Sequence, residues 1–170
     1  MTQKSTENKG SDAIKKIPYG ISNYGRILEK NCFYLDKTMY LPLLENAGDY
    51  LFFIRPRRFG KSLFISMMEA YYDVYYKDRF DELFDATFIH KNPTPEKNAY
   101  LVLKFDFSQV NPNPDKVENS FLTHVRIKVN SFLKKYKTTL GIDEEKSIRE
   151  IQEAFKAPNY WGPSKITGTF

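Results

Sequence analysis

Five apolar residues in a row, Tyr50-Leu51-Phe52-Phe53-Ile54, stand between Gly48 and Pro56. So short and unbroken a run predicts a strand covered on both faces, as in a parallel sheet. The pattern then changes period. Leu63, Met67, Ala70, Tyr71 and Val74 recur at spacings of three and four, predicting a helix that begins near Lys61 and is covered by other elements. The stretch AYLVLKFDFS, residues 99–108, predicts a second strand, and Phe121, Val125, Val129, Phe132 and Leu133 predict a helix over about 116–136. A further helix is predicted over 143–156, with acidic residues in its first turn, where the helix dipole favours them. Upstream, Met39, Tyr40, Leu43 and Leu44 predict a helix over 37–45, with Pro42 in its first turn and Gly48 as its stop.

Strand, loop, helix, strand, helix is the opening order of an α/β fold. The expectation is the N-terminal part of a P-loop NTPase-type parallel sheet flanked by helices. Residues 1–16 are polar and predict a disordered lead, residues 17–155 the domain itself, and residues 156–170, which lack periodicity, an irregular tail. The prolines and polar residues of KNPTPEKN and NPNPDK mark loops.

Composition narrows the class. With 170 residues, 41% of them hydrophobic and 16% aromatic, the chain has enough apolar material for a core. Lys and Arg number 26 against 21 Asp and Glu, a net charge of +5 that suits a phosphate-bearing partner without demanding one. A lone cysteine, Cys32, excludes an internal disulfide and a thiolate metal cage, and His90 and His124 lack metal-ligand spacing. The N-terminal stretch has no apolar signal segment, and no run approaches the roughly 20 apolar residues of a membrane span, so the expectation is a cytoplasmic chain.

The candidate chemistry lies at the junction of the first predicted strand and its helix. Arg55-Pro56-Arg57-Arg58-Phe59-Gly60-Lys61-Ser62 fits the phosphate-binding pattern G-x-x-x-x-G-K-[ST] at every position but the first, where Arg55 replaces glycine. A nucleotide's phosphates need backbone N–H groups aimed at them from a helix N-terminus. Arg57, Arg58, Phe59, Gly60, Lys61, Ser62 and Leu63 are therefore the candidate ATP-binding residues. Gly60 is there for its backbone freedom, Lys61 for the β and γ phosphates and for transition-state charge, and Ser62 for Mg²⁺. Pro56 biases Arg55 toward extended geometry, which suggests a wider entry into the same nest. The other reading is a basic nucleic-acid-binding module without nucleotide dependence, built on the arginine cluster and the basic run VRIKVNSFLKKYK. Tyr71, Tyr72, Tyr75 and Tyr76, at helical spacing, suit packing better than base stacking.

The stretch IPYGISNYGRILEKNCFYLDKTMYLPLLENAGDYLFFIRPRRFGKSLF resembles the AAA-ATPase-like proteins of bacteria. Two motifs carry the resemblance: Tyr34-Leu35-Asp36-Lys37-Thr38 and the segment from Arg55 to Ser62. It continues through ELFDATFIH and YLVLKFDFS. The resemblance implies a P-loop ATPase domain that uses ATP and Mg²⁺, and makes Arg55 the family's own form of the loop. It also implies Walker B carboxylates on a later strand ending in Asp-Glu. This chain stops before such a strand, so the expectation is a truncated domain that binds nucleotide, with hydrolysis in doubt unless a protein partner or a second copy supplies the missing groups. Asp106, after the hydrophobics of the second predicted strand, is either a substitute carboxylate or a turn cap. Asp36 and Lys37 either meet the nucleotide, brace the loop arginines or, for Asp36, cap a helix.

Overall fold

The computed structural model describes residues 15–141 together with Lys146, Arg149, Glu150 and Glu153. The predicted N-terminal lead (all but its last two residues), most of the predicted helix over 143–156 and the predicted tail fall outside the described residues. Along the rest of the chain run α1 (Tyr24–Glu29), a 3₁₀ turn (Thr38–Tyr40), α2 (Leu41–Glu45), α3 (Lys61–Tyr72), a second 3₁₀ segment (Val74–Arg79), α4 (Phe80–Phe84), α5 (Phe88–Lys91), a third 3₁₀ turn (Phe107–Gln109) and α6 (Val117–Leu140). The chain divides into two units: the residues through Tyr71 with Asp78–Lys97, and Tyr72–Lys77 with the residues from Asn98 onward.

Among the described residues the expected parallel sheet is absent, and the P-loop α/β architecture is overturned with it. Among the described residues β-pairing is confined to two isolated parallel bridges, Lys16 with Cys32 and Asp73 with Tyr100. A strand exists only where a neighbour takes its N–H and C=O groups, whatever its side-chain pattern. Residues 51–56 lie in no regular element, and Tyr50 and Phe52 are 97% and 96% exposed. Residues 101–106 are likewise irregular. There the N–H of Val102 donates to the Tyr136 hydroxyl at 2.9 Å, so a side chain does what a ladder partner would have done.

The first unit is built round aromatic residues. Tyr24, Ile27, Leu41, Met67, Tyr71, Phe84 and Ile89 are fully buried. Tyr24 packs against Tyr34 and Phe84, with ring centroids 5.0 and 5.3 Å away. Its hydroxyl donates to the Leu83 carbonyl at 2.8 Å, and its N–H donates to Ser66 Oγ at 3.0 Å, tying α1 to α4 and α3. Burial, with the charges of Tyr34 and Asp36, raises the Tyr24 phenol above its ordinary range. Helix α3 buries Phe64, Ser66, Met67, Ala70 and Tyr71; of the residues whose spacing predicted it, Met67, Ala70 and Tyr71 are buried, Leu63 is half-buried and Val74 lies beyond its end.

In the second unit, α6 is the long element. It ends on Gly141, whose φ of 62° places it in the left-handed region that glycine tolerates, with its N–H on the Lys137 carbonyl. Asp73, fully buried, anchors this helix. Its Oδ2 accepts from Lys135 Nζ at 2.5 Å and from the Tyr136 hydroxyl at 2.6 Å, and its Oδ1 accepts from the Tyr75 N–H at 2.8 Å.

Candidate functional site

Helix α3 begins at Lys61, directly after Gly60, and the Gly60 carbonyl receives the Phe64 N–H at 2.9 Å. Before it, Arg58 has φ 68° and Gly60 φ 75°, with Phe59 between them on the ordinary side. Alternation of this kind turns successive N–H groups to one side of a loop and makes a concavity for an anion. A Cβ at Gly60 would meet nothing within 4 Å, so the requirement for glycine there is one of backbone conformation, not of space.

Lys61 folds back over this loop. Its Nζ donates to the carbonyls of Arg55 at 2.5 Å and Pro56 at 3.1 Å. Arg55 in turn reaches the Phe59 carbonyl through Nη1 at 3.5 Å and lies over the Phe53 ring at 5.4 Å. The arginine in place of the opening glycine thus spans the mouth of the loop along its rim. Arg57, Arg58, Phe59 and Ser62 are exposed, and Leu63 is half-buried. No strand delivers the chain to the loop.

The second motif meets the first at a cleft of about 160 Å³, lined among others by Phe33, Leu35, Lys37, Gly60, Leu63 and Phe64. Its lining side chains are apolar apart from Lys37 and Tyr34, and no carboxylate lines it. Nothing in the sequence marked Phe33, Leu35 or Phe64 as neighbours of the loop, though the two flanking motifs pointed to the region. Tyr34 also borders this cleft. Burial, followed by the charge of Asp36, pushes its phenol up to about 12.

Asp36 itself is used structurally. Oδ1 accepts from the Thr38 N–H and Oδ2 from the Phe88 N–H, both at 2.8 Å. Thr38 Oγ1 accepts from the Ile89 N–H at 3.1 Å. Asp36 and Thr38 together thus cap the start of α5, some fifty residues away in sequence. Lys37 is left facing the cleft.

Asp106 is exposed and caps the 3₁₀ turn Phe107–Gln109, accepting from Ser108 Oγ at 2.6 Å and Ser108 N–H at 3.1 Å. Those bonds lower its carboxyl below the usual range. Of the tyrosine series, Tyr71 is buried and bonds Thr94, while Tyr75 and Tyr76 flank the Lys135 ammonium at 5.0 and 5.3 Å. Among the described residues no group of three or more His, Cys, Asp or Glu could hold a metal ion.

The family model described as "Predicted AAA-ATPase" matches residues 18–160. The chain belongs to the AAA-ATPase-like family. A protein of Azotobacter chroococcum mcd 1, named as an uncharacterized protein in the vnfD 5' region, is 44% identical over 55 residues, covering 32% of this chain and 11% of that protein. The chain therefore spans only a small part of that relative's length. No solved structure matches the chain. No helix among the described residues is long and apolar enough to cross a membrane.

Proposed function

We propose that this AAA-ATPase-like chain binds ATP with Mg²⁺ at the loop from Arg55 to Ser62. One observation carries the reading. The ammonium of Lys61, the first residue of α3, is folded over a loop in which Arg58 and Gly60 both take positive φ. A cation held on two carbonyls at a helix N-terminus is placed to exchange them for a polyphosphate, whose charge it meets far better. Arg57 and Arg58, both exposed, add positive charge beside it. Ser62, exposed one residue into α3, offers an oxygen of the hard type that Mg²⁺ takes, and bound there the ion would offset charge on the β and γ phosphates.

Binding is the function proposed. Transfer of the γ-phosphoryl group to water needs a residue to orient the water. Asp106 Oδ1 accepts both the N–H and the hydroxyl of Ser108, which makes this residue a turn cap.

Titration calorimetry with ATP and Mg²⁺ tests the reading on the wild type and on Lys61→Ala. The wild type should bind, and the variant should bind at least about thirtyfold more weakly, the loss of one charge-assisted contact set. No heat from the wild type would end the proposal. Binding to single-stranded DNA that survives Lys61→Ala and falls steeply with salt would favour the nucleic-acid module instead.

A further inference from the structure

The geometry points to Lys37 as a second phosphate-binding cation, reaching the nucleotide from the cleft that it lines together with Gly60. This inference rests on the nucleotide reading above and gives it a residue that the loop pattern does not contain. Asp36 and Lys37 are neighbours in one motif, and the structure separates their tasks. Both carboxylate oxygens of Asp36 are occupied by backbone N–H groups, those of Thr38 and Phe88. Asp36 therefore fixes the backbone at this turn, and Lys37, half-buried, lines the same cleft as Gly60. No ion pair or hydrogen bond of the Lys37 ammonium occurs among the described residues, and no carboxylate lines the cleft to neutralise it.

The charge balance favours an anionic occupant. Lys37, Lys61, Arg55, Arg57 and Arg58 are all on the cleft or on the loop that borders it. Phe33, Leu35, Leu63 and Phe64 give the cleft an apolar wall, beside the phenol of Tyr34. A ligand with one flat apolar part and several negative charges matches both halves, and a nucleoside triphosphate is that ligand. Lysine serves here as a point charge on a flexible stem, able to follow the phosphates without bidentate geometry.

The test uses Lys37→Met, which keeps the stem and removes the charge, and Lys37→Arg, which keeps the charge. Calorimetry is run with Mg-ATP and separately with Mg-tripolyphosphate, and thermal midpoints check that each variant is folded. Lys37→Met should bind both ligands about tenfold more weakly at an unchanged midpoint, with Lys37→Arg within about threefold of wild type. Wild-type affinity in Lys37→Met would overturn the role of Lys37 while leaving the loop reading intact. A loss with ATP but not with tripolyphosphate would overturn the assignment to phosphate. A wild type that binds neither ligand would overturn both readings together.

Discussion

Asp36 accepts two backbone N–H bonds, from Thr38 two residues on through Oδ1 and from Phe88, 52 residues on, through Oδ2. Asp36→Ala leaves both amides without their acceptor and should cost about 2 kcal/mol, with Asp36→Asn in between because its amide nitrogen cannot accept. Urea unfolding reads this directly, and an unmoved midpoint in Asp36→Ala would refute the capping role. Asp73 is the corresponding residue of the second unit. It is fully buried, while Lys135 keeps 22% of its side chain exposed. Asp73→Asn should cost about 3 kcal/mol, since it strands a cation that can only partly reach water. Adding Lys135→Met should recover part of that loss. A double variant less stable than the single one would mean that Lys135 contributes chiefly through its packing on Tyr75, Tyr76 and Tyr136. Lys61 and Gly60 were legible in the sequence because their pattern is local. Asp73 was not, because it gains its meaning from Lys135 and Tyr136, which lie 62 and 63 positions further along the chain.

At the scale of elements, the two longest helices, α3 and α6, were readable, while the short α1 and α5 and the absence of strand pairing were not. The onset of α3 at Lys61, the run of α6 and the place of Pro42 in the first turn of α2 all follow from local spacing and the fixed φ of proline. A helix satisfies its own backbone, so its sequence carries most of the information needed to form it. The run Tyr50–Ile54 has the composition of a covered strand, yet it forms no ladder. Since Phe52 lies 96% exposed, Phe52→Lys should change the unfolding free energy by less than about 0.5 kcal/mol. The same change should lower self-association in sedimentation velocity, because it places charge on an exposed apolar stretch. A large loss of stability in Phe52→Lys would mean that this ring is covered in solution.

At the scale of the whole molecule, each unit holds a phenol with a displaced proton equilibrium. Tyr34 in the first unit and Tyr136 in the second are both pushed up to about 12 from an ordinary value of 10.0, Tyr34 by burial and then the charge of Asp36, Tyr136 by burial and then its hydrogen bond to Asp73. The folded state therefore holds these protons more tightly than the unfolded one. Their contribution to stability is complete below about pH 10 and is lost as pH rises through about 12. Thermal midpoints should fall across that window, and Tyr34→Phe should fall less steeply than wild type. An equal slope in the two would remove Tyr34 as a cause. The sequence by itself determined the family, the phosphate-loop pattern and helices α3 and α6, because each of these is written in residues close together along the chain. The tertiary structure alone decided that the apolar runs form no sheet, that Asp36 caps α5 while Lys37 faces the cleft, and that Asp73 anchors α6. Backbone partners and buried charges are chosen between segments distant in sequence, and local spacing carries no record of that choice.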